Sequence, residues 1–126
     1  MLFRSALLGA AQVTAIEIDP DAIANAGKNV LRNGVADRVT VIEGDASILL
    51  PLIAPVRVVL ANIISSVLLE MLPIIASSLT TDGEAILSGI LVEERPMMLA
   101  ALGEGGWTVV AEDMEGVWWS ARIARR

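Results

Sequence analysis

A doubly wound α/β sheet, mostly parallel and ending in an antiparallel hairpin, is the fold this sequence predicts. Three observations predict it. Short β-branched or aliphatic runs alternate four times with segments of helical periodicity, and such alternation builds parallel strands joined by right-handed helical crossovers, with helices on both faces. Strand after strand ends in an acid or an amide, where open sheets of this kind gather their ligands. The last two runs are separated by Asp113-Met114-Glu115-Gly116, a hairpin signal instead of a crossover.

Residues 4–9 read as the tail of a helix, with Ala6, Leu7 and Leu8 apolar and Gly9 as its stop. Residues 13–18 are a β-branched strand. Asp19 can cap the helix that follows, and Pro20 suits its first position because that N–H has no helical partner. Over residues 20–32, Ile23, Ala26 and Val30 share one stripe, and Asn33-Gly34 supplies a left-handed stop. A strand of four at residues 39–42 leads into Glu43-Gly44-Asp45-Ala46. Residues 47–55, broken by Pro51 and Pro55, read as a short helix or turn and then a loop.

Residues 57–61 are expected to form a fully buried strand that delivers Asn62. Ser65 or Ser66 can cap a helix running to about Ser78, with Val67, Leu68, Met71, Ile74 and Ile75 as its stripe and Pro73 as a possible kink. Thr81-Asp82-Gly83 predicts a turn before a strand at residues 85–88. A helix at residues 93–102 tolerates Pro96 in its first turn and closes at residues 103–106. Residues 107–112 and 117–123 are the hairpin strands. Trp107, Trp118 and Trp119 are expected to pack it and not to form a substrate cage.

The chain has 126 residues, so one domain with an aliphatic core is expected: 55% of residues are apolar and only 3% aromatic. Net charge is -6 and Lys28 is the one lysine, so no basic face is available for direct nucleic-acid binding. Without cysteine or histidine there is no disulfide, thiol nucleophile, imidazole base or Cys/His metal site, and no metal site is expected. Chemistry must then rest on carboxylates, amides, backbone groups or a cofactor that brings its own electrophile. The opening apolar run faintly resembles a secretory leader, but cleavage after Ala11 or Ala15 would cut at or into the first strand. Residues 58–79 are long enough to span a bilayer, yet Asn62, Ser65, Ser66, Glu70 and Pro73 interrupt them. A cytoplasmic chain without membrane contact is expected.

The strand ends read Glu17-Ile18-Asp19, Gly44-Asp45-Ala46, Asn62-Ile63 and Ser88-Gly89-Ile90. The first three together suit an adenosine, with Glu17 on the ribose hydroxyls, Ile18 as an apolar plate against the base and Asp45 accepting from the adenine amino group. Asp19 is explained by its cap alone. Asp45 equally suits a cap of the next turn, and Asn62 an Asx-turn; Glu17 has no such structural explanation.

Ile16-Glu17-Ile18-Asp19-Pro20 with Ala22 and Ala26, and then Gly44-Asp45-Ala46, resemble two motifs of class I S-adenosylmethionine-dependent methyltransferases. Leu60-Ala61-Asn62-Ile63 with Leu68-Leu69-Glu70 and Pro73, followed by Leu87-Ser88-Gly89-Ile90-Leu91, are similar to the ribosomal-protein lysine methyltransferases that modify a large-subunit stalk protein. The resemblance covers nearly the whole chain. It implies a Rossmann-like methyltransferase sheet, S-adenosylmethionine as cofactor and methyl transfer to an amino group of a protein, with a ribosomal protein as partner. By position it places Glu17, Ile18, Asp19, Gly44, Asp45, Ala46 and Asn62 around the cofactor, with Asn62 beside the methyl group and the incoming amine as the catalytic residue.

The sequence departs from the family in lacking the first strand and Gly-rich loop ahead of residues 4–9, together with the recruiting domain farther upstream, so a domain truncated at its amino end is expected. A sheet without that central strand must pair the strands at residues 13–18 and 57–61 directly, leave backbone groups open, or borrow a strand, which makes a homodimer through the gap an expectation. A non-catalytic module that binds a protein partner, and a relic of another nucleotide-binding domain, are the other readings open at this level.

Overall fold

The computed structural model describes residues 8–126; apart from Leu8 and Gly9, the helix tail expected at residues 4–9 lies outside them. The chain divides into two compact units, residues 1–49 and 50–126.

In the first unit β1 (Val13–Glu17) and β2 (Val39–Glu43) are parallel, in register from Val13 opposite Val39 to Glu17 opposite Glu43, and α1 (Pro20–Arg32) is the crossover between them. The helix starts as its letters require. Asp19 stays extended and its Oδ1 accepts from the Asp21 amide at 2.9 Å, while Pro20 takes the first helical position. It ends at Asn33, whose backbone and side-chain N–H groups both donate to Asn29 O, and Gly34 follows at φ +67. Val30 buries the stripe of α1 against Val35 and Val39, with Val13 and Val41 packed on that cluster. A short helix, α2 (Ala46–Ile53), follows β2 and carries Pro51 within it.

The second unit is built from β3 (Val56–Asn62), α3 (Ser65–Ser78), β4 (Leu79–Leu91), α4 (Arg95–Glu104), β5 (Trp107–Glu115) and β6 (Trp118–Arg125). Its strand order is β3-β4-β6-β5, with β3 parallel to β4 and the other pairs antiparallel. Leu68, Met71, Leu72 and Ile75 of α3 and Met98 and Leu102 of α4 are buried, as are Leu87, Ile123 and Trp119 of the strands. Val67, expected on the α3 stripe, lies exposed. One face of the sheet carries this core: along β4 and β6, Ala85, Leu87, Ala121 and Ile123 are buried while Ile86 and Arg122 between them are exposed.

Four expectations are corrected here. The strand at residues 57–61 is not fully buried, because β3 is an edge strand and Val58 and Leu60 are 54% and 39% exposed; an unbroken apolar run does not reveal which face lacks a cover. The expected turn at Thr81-Asp82-Gly83 lies inside β4, where the register with β3 jumps from Val56 opposite Leu79 to Val58 opposite Glu84. The extra residues form a bulge, and within it the Thr80 hydroxyl donates to Asp82 at 2.9 Å. The cap of α3 is Ile64, without a side-chain bond, since the Ser65 hydroxyl donates to the Glu94 carboxylate. The hairpin turn is Gly116-Val117, not residues 113–116: Glu115 pairs with Trp118, and Gly116 alone has positive φ, at +62, as a type II′ turn requires.

The hairpin is tied to α4 through one carboxylate. Glu112 accepts a two-pronged bond from Arg95, with Nε at 2.7 Å and Nη2 at 3.1 Å, and a bond from the indole Nε1 of the buried Trp119 at 2.8 Å. Arg95 first and Trp119 second hold the Glu112 carboxyl below its ordinary range. The folded chain therefore binds that proton more weakly than the unfolded chain. Its contribution to stability is complete above the ordinary carboxylate pKa and is lost as pH falls through the lowered one. Urea unfolding followed from about pH 7 to about pH 3 should show a steeper acid loss of stability in the native chain than in Glu112→Gln; equal slopes would remove Glu112 from the acid response.

Candidate functional site

Parallel strands bring their carboxyl ends to one edge, so each unit presents a group of the expected residues. In the first, Glu17 turns its carboxylate back on its own chain: Oε1 accepts from the amides of Ile18 and Asp19, each at 3.1 Å. These two bonds supply the structural explanation that the sequence lacked. They also fix the carboxylate at the strand end, and its Oε2 accepts from no described residue. Ile18 beside it is 69% exposed, an apolar surface at the same corner.

The end of β2 is clamped to that of β1, because the Gly44 amide donates to Glu17 O at 2.9 Å. A side chain at Gly44 would place its Cβ 2.6 Å from Leu49 Cδ1. Asp45 Oδ1 accepts from the Ser47 hydroxyl at 2.7 Å and from the Ser47 amide at 2.9 Å, and those two bonds hold its carboxyl below the usual range. Ala46 opens α2 and is half-buried. The structure thus brings Glu17, Ile18, Gly44 and Asp45 to one corner. Asp19 and one oxygen of Asp45 are engaged in capping, which is the structural reading of both residues.

A ribose diol needs an acceptor that does not move, and an adenine ring needs an apolar neighbour. The amide-held Glu17 carboxylate and the exposed Ile18 meet those requirements, so this corner fits the adenosine portion of the cofactor that the motifs imply.

In the second unit Asn62 closes β3 opposite Ser88 of β4. Gly89 is next, at φ +78, and a Cβ there would come 2.5 Å from Asn62 Oδ1. Only glycine admits both that backbone and the amide leaning on it. Asn62, Ser88, Gly89 and Trp118 line a cavity of about 340 Å³. Trp118 is the residue that sequence reasoning misplaced. Trp107 and Trp119 are 3% and 0% exposed and pack as expected, whereas Trp118 is 52% exposed. Alternation sets Trp118 and Trp119 on opposite faces of the strand, and here only the face of Trp119 carries the core. Among the described residues no group of three or more acids is placed to hold a metal ion. No helix among them is long and apolar enough to cross a membrane.

Against known proteins, the family described as "Ribosomal protein L11 methyltransferase (PrmA)" matches residues 3–126. A ribosomal protein L11 methyltransferase of Pelotomaculum thermopropionicum is 39% identical over 114 residues, covering 90% of this chain and 36% of its own length. The crystal structure of a ribosomal protein L11 methylase from Lactobacillus delbrueckii subsp. bulgaricus superposes with a TM-score of 0.89 at 27% identity, over 98% of this chain and 63% of that one. An RNA methyltransferase from Salinibacter ruber, crystallised with S-adenosyl-L-homocysteine, shares the fold with a TM-score of 0.70 at 24% identity, over 96% of this chain and 70% of its own. The chain spans about two fifths of the length of the curated relatives it matches, 36% in one case and 41% in another.

Proposed function

The chain belongs to the family of ribosomal protein L11 methyltransferases and has a mixed, Rossmann-like α/β methyltransferase fold, and on that premise we propose that it carries the cofactor-binding and amine-binding strand ends of a methyl-transfer site. The reaction proposed is transfer of a methyl group from S-adenosylmethionine to an amino group of a ribosomal protein. When bound, that cofactor supplies a methyl on a sulfonium, an electrophile that needs no side-chain nucleophile. The observation that carries the reading is the Glu17 carboxylate, held by two amides with one oxygen open beside the exposed Ile18.

In this reading Glu17 accepts from the ribose hydroxyls, Ile18 covers one face of the base and Asp45 accepts from its amino group. Gly44 and Ala46 set the backbone that presents Asp45. Asp19 contributes by holding the turn that aims Glu17, because its carboxylate is committed to the α1 cap. Asn62, braced against Gly89, accepts an N–H of the incoming amine through Oδ1 and so directs the nitrogen lone pair; alignment of this kind is the main service the protein must provide. The amine must arrive neutral, and with no histidine or cysteine in the chain its proton leaves to solvent.

The outer edge of β3 carries no strand among the described residues, and Val58 and Leu60 are exposed beside it. That edge supports the reading of a further strand paired there, contributed by a second copy in a homodimer. A ribosomal protein as substrate places the site of action in the cytoplasm. The reaction is tested by incubating the chain with S-adenosylmethionine and purified ribosomal protein L11 and following methylation by mass spectrometry. Methylation that falls about 10²-fold in Asn62→Ala is expected; methylation indifferent to that change would take Asn62 out of the site, and none at all would favour the non-catalytic, protein-binding reading.

A further inference from the structure

We propose that Glu94 is a positioning residue: its carboxylate clasps the segment that follows Asn62 to the segment that follows Gly89, and so keeps the Asn62 amide aimed. This inference rests on the methyl-transfer reading of Asn62 and adds to it the group that holds that residue's loop in place.

One carboxylate meets both segments. Oε1 of Glu94 accepts from the Leu91 amide at 3.2 Å, and Oε2 accepts from the Ser65 hydroxyl. Leu91 ends β4 just beyond Gly89, and Ser65 opens α3 just beyond Asn62-Ile63-Ile64. The two bonds have different explanations. Leu91 precedes a single 3₁₀ turn, Val92–Glu94, so the bond to its amide is the short-range return bond of a capping box and needs no functional reason. The bond from Ser65 comes from another helix. A serine at the start of a helix ordinarily turns its oxygen to the helix's own unpaired amides. Here α3 is left without a side-chain cap and the hydroxyl donates outward to Glu94, so the bond does not serve to cap α3.

Glu94 is half-buried, and among the described residues no arginine or lysine pairs with it; its neighbour Arg95 is turned to Glu112. A carboxylate in that setting depends on its hydrogen bonds, and both of them fall on strand-end segments. The base from which it reaches is firm. The Val92 amide donates to Val117 O at 2.8 Å, tying the same turn to the hairpin, and Arg95 ties the start of α4 to Glu112.

The clasp acts where the sheet has stopped holding the two segments. The ladder between β3 and β4 ends at Asn62 opposite Ser88. On its other side β4 is irregular: Leu87 pairs with Ala121 but Ile90 with Trp119, so Ser88 and Gly89 stand opposite Ser120 alone, and Gly89 takes φ +78. Bulges re-aim residues beside active sites. This one brings the Gly89 backbone so close that a Cβ would lie 2.5 Å from Asn62 Oδ1. Past that row the Ser65–Glu94 bond joins the two segments, and without it the Asn62 loop is free to draw away from Gly89.

The test compares Ser65→Ala with Ser65→Thr, and Glu94→Ala with Glu94→Gln. Ser65→Thr keeps the hydroxyl, and Glu94→Gln can keep both contacts, because the Ser65 hydroxyl can accept from a side-chain NH2 group. In the methylation assay on ribosomal protein L11, Ser65→Ala and Glu94→Ala are expected to lower kcat about tenfold with KM for S-adenosylmethionine unchanged, the scale of one hydrogen bond to a charged group. The two conservative variants should recover most of that loss. The double variant Ser65→Ala, Glu94→Ala should lose no more than Glu94→Ala alone. A second readout needs no turnover: amide hydrogen exchange over residues 62–66 should quicken about tenfold in Ser65→Ala while β6 keeps its native rates. Native kcat in Ser65→Ala, or additive losses in the double variant, would overturn the assignment and leave the methyl-transfer reading standing. In a chain that transfers no methyl, quickened exchange confined to that loop supports the clasp while the catalytic reading falls, and native exchange overturns both.

Discussion

Gly89→Ala is expected to lower methyl transfer about 10²-fold, the loss that follows when a reacting group is displaced by about an ångström. The cause is steric and local. A Cβ at this position would sit 2.5 Å from Asn62 Oδ1 and 3.4 Å from both the amide nitrogen and the carbonyl oxygen of Ile63. The short side chain of Asn62 gives way before the backbone does, so the amide leaves the position from which it directs the amine. The φ of +78 adds about 1–2 kcal/mol of backbone strain for any residue with a Cβ, which is affordable if the unit is otherwise intact. Thermal unfolding should therefore register a modest shift while transfer collapses. The double variant Asn62→Ala, Gly89→Ala should be no less active than Asn62→Ala alone. Additive losses would show that Gly89 acts through something other than Asn62.

Trp119→Ala is expected to destabilise the chain by about 3–5 kcal/mol, a large part of what holds a domain of this size together. The ring is wholly buried in the second unit, as is Ile90, its partner across the β4–β6 pairing. Its loss would leave a cavity and also free Glu112 of a donor. Urea unfolding monitored by circular dichroism measures the effect, and Trp119→Phe, which keeps most of the volume and loses the indole N–H, should fall between. A loss below about 1 kcal/mol would mean that the hairpin does not close the core.

The order of strands and helices was legible because its signals are local. Asp19-Pro20 opens a helix and Asn33-Gly34 ends one with groups that touch only their own neighbours, so one sequence suffices to read them. What misled depends on partners that a sequence does not name. The run Val58-Val59-Leu60 reads as buried, and whether a strand or helix covers its second face is a tertiary fact. Thr81-Asp82-Gly83 has turn chemistry, yet pairing with β3 resumes beyond it and absorbs it as a bulge. The hairpin turn slipped to Gly116-Val117 because pairing between Glu115 and Trp118 outweighs the turn preference of Asp113.

The candidate site divides in the same way. The residues at the strand ends could be listed from the letters, since a strand followed by a helix marks its own carboxyl end. Their roles could not. Asp45 turned out to serve a cap and Glu17 to be braced by its own amides, both short-range bonds that the residue types permit without requiring. Trp118 needed the one inference that alternation along β6 allows, together with a bulge in β4 that no residue type announces. Gly89 was visible as a letter, and its close approach to Asn62 was not.

Calorimetric titration of S-adenosylhomocysteine into this chain, with Glu17→Ala beside it, tests the central claim most directly. Binding in the micromolar range, weakened at least about tenfold in Glu17→Ala through loss of hydrogen bonds to a charged acceptor, is the predicted result. No heat of binding in the native chain, or equal affinity in the variant, would contradict it and would remove the strand-end carboxylate from the account.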